Sequence, residues 1–118
     1  MKMPCLAISS LLLCGCVDLG HVTRHPETTT GYLSGHRDAI EQCLEGVAAE
    51  QRLLLEADDP LPGGVDRFNL LNPQSEVVAW VEVAKFSQRQ TSVQFYYAPD
   101  DPHLSRAVAT MIAQCDNP

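Results

Sequence analysis

Ser34, His36 and Asp38 bring together the residue types of a hydrolytic triad, and His21 and His25 have the four-residue spacing at which a helix can hold a metal ion. Their context argues against both. Residues two apart on a helix project to different sides, whereas a triad must converge on one point. The run Gly31-Tyr32-Leu33-Ser34-Gly35 also misses the nucleophile-elbow pattern by one place. His21 and His25 stand before Pro26 with no third ligand nearby in the chain. His103 follows Asp100 and Asp101, but Asp-Asp-Pro recurs at Asp58-Asp59-Pro60, where turn and cap duty accounts for it. No phosphate-binding loop, dinucleotide fingerprint or zinc signature is present. The expectation is a protein without catalytic residues, bound metal, cofactor or small-molecule substrate.

The cysteines carry the next signal. Met1-Lys2-Met3-Pro4 precedes an almost wholly apolar run from Cys5 to Val17. A positive start and an apolar core of about ten residues fit a secretory signal peptide, too short for a stable spanning anchor. On those features alone, a cleaved signal and a buried apolar N-terminal helix both remain open. Leu13-Cys14-Gly15-Cys16 resembles a bacterial lipobox, read by the lipoprotein signal peptidase. The resemblance implies that the Cys16 thiol receives diacylglycerol, that cleavage makes Cys16 the first mature residue, and that an acyl chain such as palmitate is added to its amine. Val17, rather than Asp, follows Cys16. By the same resemblance this points to the periplasmic face of the outer membrane. The acyl chains would anchor the protein at about 0.8 kcal/mol per buried methylene.

This arithmetic leaves Cys43 and Cys115 in a compartment that permits disulfides. A Cys43–Cys115 bridge is expected; the alternative is two separately buried thiols. The chain of 118 residues then divides into a signal peptide (1–15), a tether (16–33) with Pro26 and Thr28-Thr29-Thr30, and one domain (34–118).

A small set of elements must fill that domain. Ile40, Cys43, Leu44, Val47 and Ala48 recur at helical spacing, predicting a helix over about 36–56 with Ser34 as N-cap and a possible bend at Gly46. Asp58-Asp59-Pro60-Leu61-Pro62-Gly63-Gly64 ends it. Three alternating runs follow, at Arg67–Leu71, Val77–Phe86 and Thr91–Tyr97, joined by short polar links that require antiparallel neighbours. Asp101 and Pro102 suit the start of a second helix with Leu104, Val108, Met111, Ile112 and Cys115 on one stripe. The predicted class is α+β: helix, three-stranded antiparallel meander, helix. Both helices would lie on the face made by Phe68, Leu70, Val77, Ala79, Val81, Val83, Val93, Phe95 and Tyr97, joined by the disulfide.

The opposite face holds the candidate site. Arg67, Asn69 and Leu71, then Val78, Trp80, Glu82, Ala84 and Phe86, then Ser92, Gln94 and Tyr96 would show there. A plain solvent face would be polar. This one carries the only Trp together with Phe and Tyr, a composition typical of interface anchors. Trp80, Glu82, Phe86, Gln94, Tyr96, Arg67 and Leu71 are therefore candidate partner-binding residues. The alternative is that the Pro/Gly loop near residue 60, or an irregular twist, covers Trp80.

Charge narrows the partner. Fifteen acidic against eight basic residues give −7, and loss of Lys2 with the signal makes the chain more acidic still. Nucleic-acid binders usually carry the opposite balance. A basic protein partner is favoured. The expected function is protein binding by a lipid-anchored accessory subunit of a secretion, pilus or transport assembly; the alternative is an inhibitor or immunity protein against a periplasm-acting toxin or lytic enzyme.

Overall fold

The computed structural model describes residues 26–118. The signal-like segment, Cys16, His21, His25 and the first part of the expected tether lie outside that range.

The described chain runs β1 (Glu27–Ser34), α1 (Arg37–Glu50), β2 (Leu54–Ala57), β3 (Asp66–Leu71), β4 (Val77–Lys85), β5 (Gln90–Tyr97) and α2 (Pro102–Gln114). All five strands form one antiparallel sheet in the order β1-β5-β4-β3-β2. This corrects the expected three-stranded meander. The three expected strands occupy the middle of the sheet, and two further strands, linked by α1, flank them.

β1 replaces the later part of the expected tether. Its threonines are β-branched and suit an extended backbone. Gly31 and Leu33 are buried, while Thr28, Thr30 and Tyr32 are exposed, the period-two pattern of a half-covered strand. Gly31 lies close under α2: a Cβ there would sit 3.0 Å from Ile112 Cγ2, so a side chain at this position needs Ile112 to shift.

β2 replaces the end of the expected first helix. The helix stops at Glu50, and Arg52 enters the left-handed region at φ 63°. Arg52 N–H donates to Ala49 O (3.0 Å) and Leu53 N–H to Ala48 O (2.9 Å). This paired bond pattern closes a helix end around a left-handed residue, usually glycine. Beyond it Leu53 and Leu55 are buried and Leu54 is 55 % exposed, an alternation no helix would produce. At the other end His36, not Ser34, holds the N-cap position, and its side chain makes no cap bond. At the start of α2, Asp101 does accept from Leu104 N–H at 3.1 Å, with Pro102 in the first turn.

The core lies between the helices and one sheet face. Ile40, Leu44, Val47 and Ala48 of α1 and Leu104, Ala107, Val108 and Met111 of α2 meet Leu70, Ala79, Val81, Val83, Val93, Phe95 and Tyr97. A register irregularity between Leu70 and Leu71 shifts the start of β4. Val77, expected in the core, is 42 % exposed, and Val78, expected on the opposite face, packs against the core instead. A bulge of this kind exchanges the faces of neighbouring residues.

A disulfide joins Cys43 of α1 to Cys115 at the end of α2, with a Cα–Cα distance of 5.6 Å. A second fastening ties α1 to the chain entering β3. Arg37 Nη1 donates to Gly64 O at 2.7 Å and Arg37 Nε lies 3.7 Å from Asp66 Oδ2. Glu41, one turn along the helix, lies near Asp66, and its Oε2 is buried without a partner among the described residues. Burial, then the neighbouring Asp66 carboxylate, push the Glu41 carboxyl up to about 8, with Arg37 opposing the rise and Asp38 adding to it.

Candidate binding face

Strand register places the residues of the helix-free face in rows across the sheet. One row reads Thr28, Tyr96, Trp80, Asn69, Glu56, from β1 to β2. The next reads Thr30, Gln94, Glu82, Arg67. Cross-strand neighbours on one face of a sheet are close enough for their side chains to interact.

Four of the sequence-predicted residues form one contact group. The Trp80 and Tyr96 rings stack with centroids 5.5 Å apart at 19°. The Arg67 guanidinium lies 5.3 Å from the Trp80 ring centroid, a cation–π arrangement. Tyr96 Oη donates to Glu82 Oε1 at 3.4 Å. Burial, and then the neighbouring Glu82 carboxylate, raise the Tyr96 phenol above its ordinary value, while Arg67 pulls the other way. The hydroxyl therefore stays a donor throughout the physiological range.

The other predicted residues lie at the margins. Gln94 is the register neighbour of Glu82. Phe86, just past β4, is 60 % exposed, and its ring lies 4.7 Å from that of Tyr32, itself 54 % exposed. Leu71 is at the far corner, beside Leu54 of β2.

Of the residues near 60, Asp58 bonds to this face. Its carboxylate lies 3.8 Å from Arg67 Nε and accepts from Asn69 Nδ2 at 3.2 Å. Further on, Gly64 is held by Arg37 of α1. Trp80 is half-buried, with the Tyr96 ring stacked beside it and the Arg67 guanidinium over its ring.

Sequence reasoning missed Tyr32, Thr28, Thr30, Leu54 and Glu56 because it missed their strands. The alternation of Thr28, Thr30 and Tyr32 with Gly31 and Leu33 was the available signal.

No hydrogen bond joins the residues with triad chemistry. Ser34 ends β1, where its N–H donates to Asp116 Oδ1 at 2.7 Å; His36 and Asp38 belong to the start of α1. Ser34 and His36 border a shallow, open depression that also touches Arg89 and Asn117. His103 is exposed in the first turn of α2. Among the described residues no three His, Cys, Asp or Glu side chains cluster as metal ligands, and no helix is long and apolar enough to cross a membrane.

Comparison with protein-family models, with curated proteins and with solved structures gives no match for this chain.

Proposed function

We propose that this chain is a lipid-anchored periplasmic protein that binds a protein partner through the helix-free face of its sheet, as an accessory subunit of an envelope assembly. One observation carries the reading. The face opposite both helices is built around a Trp80–Tyr96–Arg67 stack, flanked by the exposed Tyr32–Phe86 ring pair. Binding hot spots at protein interfaces are enriched in aromatic residues and Arg, and a cluster of them on a solvated sheet face has that composition. Glu82, Glu56 and Asp58 surround the stack, so a partner with basic side chains fits it better than an acidic one. The lipobox-like residues 13–16 support anchoring through Cys16.

Capture of envelope proteins on the full chain, with Trp80→Ala in parallel, tests this. The expected result is recovery of components of one membrane assembly by the wild type and loss of at least about tenfold in affinity with the variant, a hot-spot-sized effect. The melting temperature should fall far less than with a core truncation such as Phe95→Ala, for which about 3–5 kcal/mol is usual. Equal recovery by both chains removes the face from consideration. A single lytic enzyme or toxin, inactivated when bound, would make the chain an inhibitor instead.

A further inference from the structure

The two edges of the sheet differ in how they are guarded. β2 is four residues long and is flanked by Arg52, Asp58, Asp59 and Pro60, the short, charged and proline-bounded kind of edge that resists pairing with another chain. β1 is eight residues long and has no lysine, proline or bulge within it. Its inner side bonds β5. Gly35 N–H donates to Arg89 O just past the strand, so the odd-numbered residues of β1 face β5 and the even-numbered ones face outward. Ser34 confirms this parity, because its N–H donates to Asp116 Oδ1 and its C=O accepts from Asn117 N–H at 2.8 Å. The C-terminal residues thus close that end of the edge. Thr28, Thr30 and Tyr32 remain, each turning an N–H and a C=O outward with no partner among the described residues.

We propose that a second copy of this chain pairs with this edge, β1 against β1 and antiparallel, with Thr30 opposite Thr30 on a two-fold axis. The boundaries of the free edge select this occupant. In that register Thr28 faces Tyr32 of the second copy, and all six outward N–H groups of the two strands find carbonyl acceptors. The next positions along are Pro26, which has no N–H, and Ser34, whose groups are already taken; the register sets them opposite each other. An edge whose free groups are symmetric about their own midpoint, and closed at both ends, is self-complementary in the sense a two-fold interface requires.

Side chains agree with this arrangement. Thr28, Thr30 and Tyr32 are exposed on the helix-free face, so each Tyr32 ring meets a threonine across the junction, a favourable cross-strand pair. Glu27, the only charged residue of β1, falls opposite Leu33 of the second copy, about 20 Å along the strand from its own counterpart. The product is a continuous ten-stranded sheet with four helices on one side and both aromatic faces on the other.

Sedimentation of the full chain in mild detergent, with and without Thr30→Lys, tests the proposal. The wild type should sediment as a dimer. Thr30→Lys sets two like charges directly opposite and should weaken the dimer at least about tenfold, with the circular dichroism of the fold unchanged because position 30 is exposed. Thr30→Cys, in a full chain carrying Cys5→Ser, Cys14→Ser and Cys16→Ser, should cross-link to itself under mild oxidation. Thr28→Cys in the same background should not, its two copies lying about 13 Å apart along the strand. A wild type that stays monomeric, a dimer indifferent to Thr30→Lys, or cross-linking at 28 in place of 30 would each overturn it.

Discussion

Glu41 has a buried carboxyl oxygen with no hydrogen-bond partner among the described residues, and it lies beside the Asp66 carboxylate, which Arg37 approaches to 3.7 Å. Its carboxyl is pushed up to about 8, against an ordinary 4.5, chiefly by burial. The folded protein therefore keeps a proton that the unfolded chain has already released. Below about pH 4.5 both states are protonated and the contact contributes fully. Between there and about pH 8 the folded state holds more protons, so stability falls as pH rises. Glutamine keeps the side-chain shape and carries no ionisable group beside Asp66. Glu41→Gln should match the wild type near pH 4.5 and exceed it by on the order of 1 kcal/mol above pH 8, read as a flatter dependence of melting temperature on pH. A variant that follows the wild-type pH profile would exclude Glu41 as the responsible group.

At the scale of elements, the end of α1 is closed by a residue poorly suited to its position. Arg52 is exposed and left-handed at φ 63°, where a side chain clashes with its own backbone and glycine does not. Arg52→Gly should stabilise the fold by about 1 kcal/mol, raising the melting temperature by roughly 4–8 °C. No gain would mean that the arginine compensates through contacts of its own. The same junction shows why the element pattern was only partly legible. Leu53, Leu54 and Leu55 continue the apolar content of the helix, and nothing in their types marks the reversal at Arg52; the left-handed turn is imposed by the bond pattern that closes the helix. β1 was hidden differently, since Pro26, three threonines and Gly31 have the composition of a linker. Gly31 in the structure lies against Ile112 of α2. The central strands, the second helix and the pairing of the two cysteines were legible because alternation, a capping Asp-Pro and an even count of remaining thiols are each local or arithmetical signals. On the helix-free face, strand parity alone places Trp80, Tyr96, Arg67 and Glu82 together, whereas Tyr32 and Leu54 depend on the two strands that the sequence pattern did not reveal.

For the molecule as a whole, the Cys43–Cys115 bridge spans 72 residues and ties the two helices over a single sheet face. Closing a loop of that length limits the unfolded chain by about 4 kcal/mol in the entropic account, a large part of the roughly 5–15 kcal/mol that holds a domain folded. Cys43→Ala with Cys115→Ala should lose about that much in denaturant titrations, and reduction of the wild type should reproduce the loss; no change on reduction would place the stability in the sheet core alone. The strand order has a further consequence, in time. β1 leaves synthesis before every other described element, yet its sheet neighbour β5 begins only at Gln90, after α1 and three more strands have been made. Contacts between distant segments form only after the costly closure of the intervening loop, while the hairpins among β2, β3, β4 and β5 close locally. The first strand to be made must therefore wait longest for its place, and until β5 arrives both of its edges are open.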